Sequence, residues 1–353
     1  MHVYIGTYTR KEGHVDGKAE GIYTCVFDDA SGTLSIAGDP QPSINPSYLA
    51  VHPAGHTLYA ANEMFEDLCD PHATLSAFSI KADGSLLSRN RVSSEGIAPC
   101  YVTPDQKGAF LYATNYQSGR VVVAPLQPNG DLGQVFQTIQ HEGEGKPGEQ
   151  GSPLSHSIYL DHTGAYAVVP DKGMDRVCVY AVHANGKLKN ASCLDMPKGA
   201  GPRHFVFHPT GKWGYVINEL NSTITSCLWR DGNLVPFESV STLPDGFTEG
   251  NSTADIHITP DGRFLYGSNR GHDSLAAYHI DSTTGALVRI GHIPTGGEVP
   301  RGFAISPSGL WLLCANQNSG NIVTYRIDPE NGDLDLSSEL KLPTPVCIKF
   351  REG

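Results

Sequence analysis

Six stretches of this 353-residue chain align without gaps on one glycine, and that repetition limits the folds open to it more than any other feature. The stretches begin at Pro46, Pro99, Ser155, Pro202, Thr253 and Pro300. Their shared glycines are Gly55, Gly108, Gly164, Gly211, Gly262 and Gly309, spaced 47 to 56 residues apart. Each copy reads as an apolar run, a tight turn in which glycine supplies positive φ without steric cost, and a second apolar run ending in Asn or Asp. A third strand-like stretch follows in every copy (SAFSI, VVVAPL, VCVYAV, TSCLW, LAAYHI, IVTYRI), then a turn and a more polar fourth strand. Four short strands per unit of about 50 residues predict an all-β propeller with four-stranded antiparallel blades.

The two ends supply a seventh blade. HVYIGTY near the start resembles the second strand of the repeat, with Tyr4 where other copies place Tyr59 or Tyr112, and TPVCIKF near the end resembles the first. The ends are therefore expected to pair inside one closing blade, making residues 1–353 a single domain without an exposed sheet edge. Composition agrees: 39 Gly and 24 Pro punctuate the chain, and no amphipathic helical stretch of ordinary length interrupts them. The longer polar loops 63–74 and 141–152 read as surface excursions, lids over one face.

Charge and cysteine usage narrow the function. With 25 Lys plus Arg against 37 Asp plus Glu, the net charge of −12 argues against a nucleic-acid partner. No apolar run approaches the roughly 18 residues that cross a membrane. Residues 1–9 read as a strand rather than an export signal, which makes a cytoplasmic location the default. The eight cysteines, Cys25, Cys69, Cys100, Cys178, Cys193, Cys227, Cys314 and Cys347, show no CxxC spacing and are expected to be buried, reduced thiols. No HExxH, GxSxG, Walker or dinucleotide fingerprint occurs. The glycine-rich stretch 143–151 lacks the GK[ST] ending and reads as a loop. Neither a metal nor a cofactor is expected.

In a repeat protein the shared positions are framework, so function is sought where equivalent positions differ chemically. Eight residues before the shared glycine the copies carry Ser47, Cys100, His156, Arg203, Ala254 and Arg301; eight residues after it, Glu63, Tyr116, Lys172, Glu219, Arg270 and Gln317. Both columns fall at strand ends on one side of the turn and are expected to form a ring at one mouth of the central channel. One reading is an ion-paired polar plug. The other is an anion site: arginine keeps its charge and binds carboxylate or phosphate bidentately, so Arg203, Arg270 and Arg301 converging on an acidic protein would draw in an anionic metabolite. His156 and Glu219 are then the proton-transfer candidates. Asp255 and His257 lie two apart on a strand and share a face, either as a core pair or as part of the site. The near-uniform column Asn62, Asn115, Asp171, Asn218, Asn269 and Asn316 reads as structural capping, and His52 and His208 as turn residues.

The runs GAGPRHFVFHPTGKWGYVINELNST, TADIHITPDGRFLYGSNRGHDS, PRGFAISPSG and the opening VYIGTYT resemble the lactonase family of seven-bladed β-propellers, which includes bacterial propeller-type 6-phosphogluconolactonases and fungal carboxy-muconate cyclases. The resemblance spans essentially the whole chain. It implies a cofactor-free esterase acting on a sugar lactone, or a lactone-forming cyclase using the same pocket. It also implies site residues: His156 of the HS dipeptide, Arg203 of GPRH, Glu219 of NE and Arg270 of SNRGHD. Arg301, His204, Asp255 and His257 are expected beside them as substrate-binding residues. Many relatives carry PHxHS where this chain reads Pro153, Leu154, Ser155, His156, Ser157, so leucine stands in place of the first histidine. The resulting expectation is a hydrolase for an anionic aldonolactone such as 6-phosphogluconolactone. The rivals are a muconate-type cycloisomerase and a non-catalytic binding platform, the latter predicting apolar rim patches over a sealed channel.

Overall fold

The apolar runs flanking each repeat glycine pair as antiparallel strands, and the glycines take the left-handed turn that joins them, with φ between 66° and 79°. The computed structural model describes residues 1–65, 73–143 and 150–351. Six sheets of four strands follow chain order, and we number these blades one to six. Their first strands are Pro46–Val51, Pro99–Pro104, Tyr159–Leu160, Pro202–Phe207, Ser252–Ile258 and Pro300–Ile305. Blade seven runs Pro345–Phe350, His2–Thr7, Gly21–Asp28, Thr33–Ile36, so the two ends of the chain are neighbours in one sheet, as the sequence predicts. From blade four through blades five, six, seven and one to blade two, the first strands of adjacent blades touch one another. No helix among the described residues is long and apolar enough to cross a membrane.

Apolar side chains on both faces of the inner three strands fill the gaps between blades, which is why those strands read as continuous apolar runs. The fourth strands alternate buried and exposed, as in Leu188–Asp195 and Leu334–Lys341. Hydrogen bonds then lock blade to blade. Tyr4, Tyr59, Tyr112, Tyr215 and Tyr266, four positions after the repeat glycine or its equivalent, each donate a buried hydroxyl to a glycine carbonyl in the next blade's outer turn, at 2.7 to 3.1 Å. His52 and His208 lie in turns, as expected, and reach the next blade's repeat glycine, His52 Nε2 at 3.3 Å from Gly108 O and His208 Nε2 at 3.0 Å from Gly262 O. The capping column behaves as a column: Asn115, Asn269 and Asn316 donate side-chain N–H groups to loop carbonyls, and Asp171 Oδ1 accepts the backbone N–H groups of Leu154, Gly173 and Met174.

All seven described cysteines are free thiols and six are buried. Cys193, on the half-exposed fourth strand of blade three, departs from the expectation of burial because alternate residues of such a strand face water. Cys69 and the central parts of both proposed lids lie outside the described residues.

Candidate active site

Each first strand carries an irregularity at its mouth end that decides which side chains enter the channel. Pairing jumps from Pro46 to Tyr48, Pro99 to Tyr101, Pro202 to His204 and Pro300 to Gly302, leaving Ser47, Cys100, Arg203 and Arg301 without a ladder partner. These are β-bulges, which re-aim a side chain that regular pairing would direct into the sheet packing. In blade five the jump spans Ala254 and Asp255, and in blade seven Val346 is skipped. Blade three departs furthest. The expected strand around His156 shrinks to Tyr159–Leu160, with one isolated bridge between Ser155 and Asp171. Its partner strand holds Pro170, which has no N–H to give back after its carbonyl accepts His156 N at 3.1 Å.

Two carboxylates organise the ring these residues make with the column eight after the glycine. Glu219 gathers three cations: Lys172 Nζ lies 2.6 Å from Oε1, and Arg203 Nε and Arg270 Nη2 lie 2.9 and 3.1 Å from Oε2. Burial disfavours its charge, yet Arg270, Lys172 and Arg203 outweigh burial and hold the carboxyl far below its usual range. Glu63 is the second centre. Arg301 Nη2 is 3.6 Å from Oε1, and Tyr8 donates its hydroxyl to Oε2 at 2.7 Å. Four cations thus face two carboxylates at the mouth of an otherwise acidic molecule. Arg203 Nε meets Glu219 as an ion pair rather than a hydrogen bond, and Arg270 reaches Glu219 through Nη2, its Nε having no hydrogen-bond partner among the described residues. Burial, reinforced by Arg203 and Arg301 against the pull of Glu219, draws Arg270 down to about 10, which still leaves it charged at neutral pH.

His156 sits beside this cluster, its ring 5.2 Å from that of His204 and 5.4 Å from that of Tyr116. Burial first, then Arg203, His204 and Arg301, push its pKa well below the ordinary value, so the imidazole is neutral. Cys100 approaches its Nδ1 only at 4.0 Å, and among the described residues no protein group hydrogen-bonds Nε2. A thiol beside an imidazole invites a nucleophile reading. Cys100 does not support it: burial pushes the thiol up to about 12, and its S–H donates to the carbonyl of His156 at 3.0 Å. That bond fixes the backbone carrying the histidine.

Deeper in the channel, Asp255 bridges two histidines, with Oδ1 2.7 Å from His204 Nδ1 and Oδ2 3.1 Å from His257 Nε2. Arg203 Nη1 stands 3.2 Å from His204 Nε2 and donates to Ala254 O at 2.5 Å. An arginine can only donate, so His204 Nε2 accepts and its proton resides on Nδ1, facing Asp255. Burial and Arg203 lower His204 to about 4 despite that carboxylate. Asp255 and His257 therefore share a face, as the sequence predicts, and their pairing supports the arginine from below. Asp255, His204, Arg203, His156, Arg301, Glu63 and Ser47 all line one small cavity. Among the described residues no group of three or more His, Cys, Asp or Glu is placed to hold a metal ion.

A family sequence profile described as a seven-bladed β-propeller lactonase matches residues 2–350. The chain belongs to the lactonase family. It is 33% identical to a 6-phosphogluconolactonase of Bacillus subtilis over 351 residues, 98% of this chain and 97% of that protein. It is 34% identical to a 6-phosphogluconolactonase of Formosa agariphila, over 98% and 96% of the two chains. Among solved structures, the periplasmic gluconolactonase of Pseudomonas aeruginosa superposes with a TM-score of 0.91 at 29% identity, covering 99% of each chain. A Lactobacillus plantarum protein does so at 0.92 and 33%, again over 99% of both.

In this lactonase-family chain the ring brings together Arg203, Glu219, Arg270, Arg301 and His156, with His204, Asp255 and His257 beneath. Column reasoning missed Tyr8. The signal was present, since Tyr4 aligns with Tyr59 and the position four further on in the split blade is Tyr8, opposite Glu63. Glu219 also gives the first prediction. Glu219→Gln strands three cations in a buried site, and the unfolding free energy in a denaturant titration is expected to fall by about 3–5 kcal/mol. A loss under about 1 kcal/mol would show that this carboxylate does not balance them.

Proposed function

We propose that this family member hydrolyses an anionic sugar lactone, 6-phosphogluconolactone or a close aldonolactone, by metal-independent attack of water on the ring carbonyl. The observation that carries the reading is a neutral, buried imidazole that lines one cavity with the guanidinium groups of Arg203 and Arg301. His156 Nε2 takes a proton from water as the oxygen bonds to the carbonyl carbon. Arg203 and Arg270 meet the charge that develops on the carbonyl oxygen. When the ring C–O bond breaks, the imidazolium returns that proton to the departing ring oxygen, and the product is the open-chain acid. Glu219, held ionised by three cations, is a poor base and serves to fix the arginines. A lactone is an activated ester, so positioning and electrostatics suffice without a Lewis acid.

The names of the B. subtilis and F. agariphila relatives support the substrate class. The binding-platform rival draws no support from the surface: the five most exposed large apolar side chains among the described residues, Leu87, Val235, Phe237, Val288 and Leu336, sit one or two to a blade on fourth strands. Stopped-flow assay of 6-phosphoglucono- and glucono-δ-lactone, with and without chelator, tests the proposal. Water uptake at a rate indifferent to chelator is expected. Isomerisation of a muconate without water uptake, or dependence on added metal, would overturn it. The pH profile is a second test. A base whose pKa is depressed stays unprotonated further into acid, so the acid limb of kcat/KM should fall below pH 6.5, the ordinary histidine value. A limb above that value would exclude His156 as the base.

A further inference from the structure

The ring is divided, and only one half is used by the chemistry above. Blades three to five hold the Glu219 cluster and His156; blades six, seven and one hold a second cluster around Glu63. A feature that blades two to six lack adjoins this second half. Where blades two to six cross from second to third strand by a tight turn, blade seven inserts a hairpin in which Lys11–Glu12 pairs with Val15–Asp16. The hairpin is fastened. Val15 packs with Tyr8 and Val346 in a small core of its own, Lys18 N donates to Thr344 Oγ1 at 3.2 Å, and Ala19 N donates to Tyr8 O at 3.2 Å. Asn45, fully buried at a φ of 38°, ties it to blade one: Oδ1 accepts Thr9 N and Arg10 N at 2.9 and 3.0 Å, and Nδ2 donates to Glu12 Oε1 and Glu63 O at 3.0 and 3.1 Å.

What the hairpin presents is His14. Its Nε2 stands 3.9 Å from Glu63 Oε1, its ring meets Tyr8 and Phe65 edge-on at 5.3 and 4.8 Å, and a third of the side chain remains exposed. Next to it, Arg301 has only the long 3.6 Å contact with Glu63 and a stack on the Tyr8 ring, with no hydrogen bond among the described residues. Ser47 Oγ is buried beside them without a partner among the described residues. Arg301 and Ser47 line the same cavity as His156 and Arg203, and His14 and Arg301 approach one oxygen of Glu63, which lines it too.

We infer that His14, Arg301 and Ser47 form a rim subsite for the phosphate monoester on the end of the sugar remote from the lactone carbonyl. This rests on the hydrolase reading for its substrate but not for its ligand chemistry. Two ends of one small molecule are gripped by two halves of the ring, so the reacting carbonyl is delivered to His156 in a fixed orientation. Charge decides how His14 takes part. The charged groups facing it from the blades are Arg301, Arg270 and Glu63, and on its own hairpin Lys11, Glu12, Asp16 and Lys18. Burial and Arg301 lower its pKa, so it is neutral before binding; an arriving phosphate reverses the local sign, and the imidazole takes up a proton.

The test uses the full chain and its His14→Gln variant, whose partly exposed position makes the change compatible with folding. The variant is expected to raise KM for 6-phosphoglucono-δ-lactone about tenfold, the scale of one hydrogen bond to a charged group. Its kcat, and its KM for unphosphorylated glucono-δ-lactone, should stay within about twofold of wild type. Calorimetry with 6-phosphogluconate in buffers of different ionisation enthalpy should show proton uptake in wild type and none in the variant. Equal effects on both lactones, or unchanged proton uptake, would overturn the subsite and leave the hydrolase reading standing. A protein inert to both lactones that binds 6-phosphogluconate in a His14-dependent way would do the reverse.

Discussion

Replacing His156 with glutamine is expected to lower kcat on a sugar δ-lactone by about 10²- to 10⁴-fold, the usual contribution of a positioned general base. KM should change little, because the arginines that hold the substrate are untouched. The backbone of His156 is held by Cys100 and Pro170 through main-chain atoms, so the variant keeps its conformation. The prediction separates His156 from Glu219. If Glu219 were the base, His156→Gln would retain most of the rate, and a fall of less than about threefold in a saturating assay would transfer the role. The three cations around Glu219 make that outcome unfavourable, since a carboxylate stabilised so strongly has little affinity for a proton.

Most of the architecture and half of the site could be read from the chain because a propeller translates sequence period directly into spatial ring. Positions equivalent by alignment are related by rotation about the axis, so two columns eight residues either side of a glycine had to meet at one mouth. The ion pairs from Arg203, Arg270 and Lys172 to Glu219 show the two columns meeting. The same logic explains what escaped it. His14 lies in an insertion that blades two to six lack, so it belongs to no column. Tyr8 belongs to one, but its blade is split between the ends of the chain. The bulges leave no mark in composition, although they turn Ser47, Cys100, Arg203 and Arg301 inward. Nor does a column reveal that one glutamate will serve three cations, which depends on side-chain reach rather than register.

Arg203 is where the electrostatic and positional arguments meet, and Arg203→Ala is expected to reduce kcat/KM for lactones by about 10²- to 10³-fold, the range for a lost oxyanion donor. It is 2% exposed. Its Nη1 occupies His204 Nε2 and Ala254 O, while Nε lies 2.9 Å from Glu219 Oε2, so truncation removes the proposed donor to substrate, frees the His204 tautomer and takes a donor from a buried carbonyl. A stability loss therefore accompanies the rate loss and must be separated from it. Arg203→Lys does so. A lysine ammonium can restore charge near Glu219, and with it much of the melting temperature, but it is a point donor and cannot serve Ala254, His204 and an oxyanion at once. Full recovery of rate by lysine would mean that Arg203 acts through charge alone. An alanine variant within tenfold of wild type would remove it from the reaction and leave Arg270 as the donor.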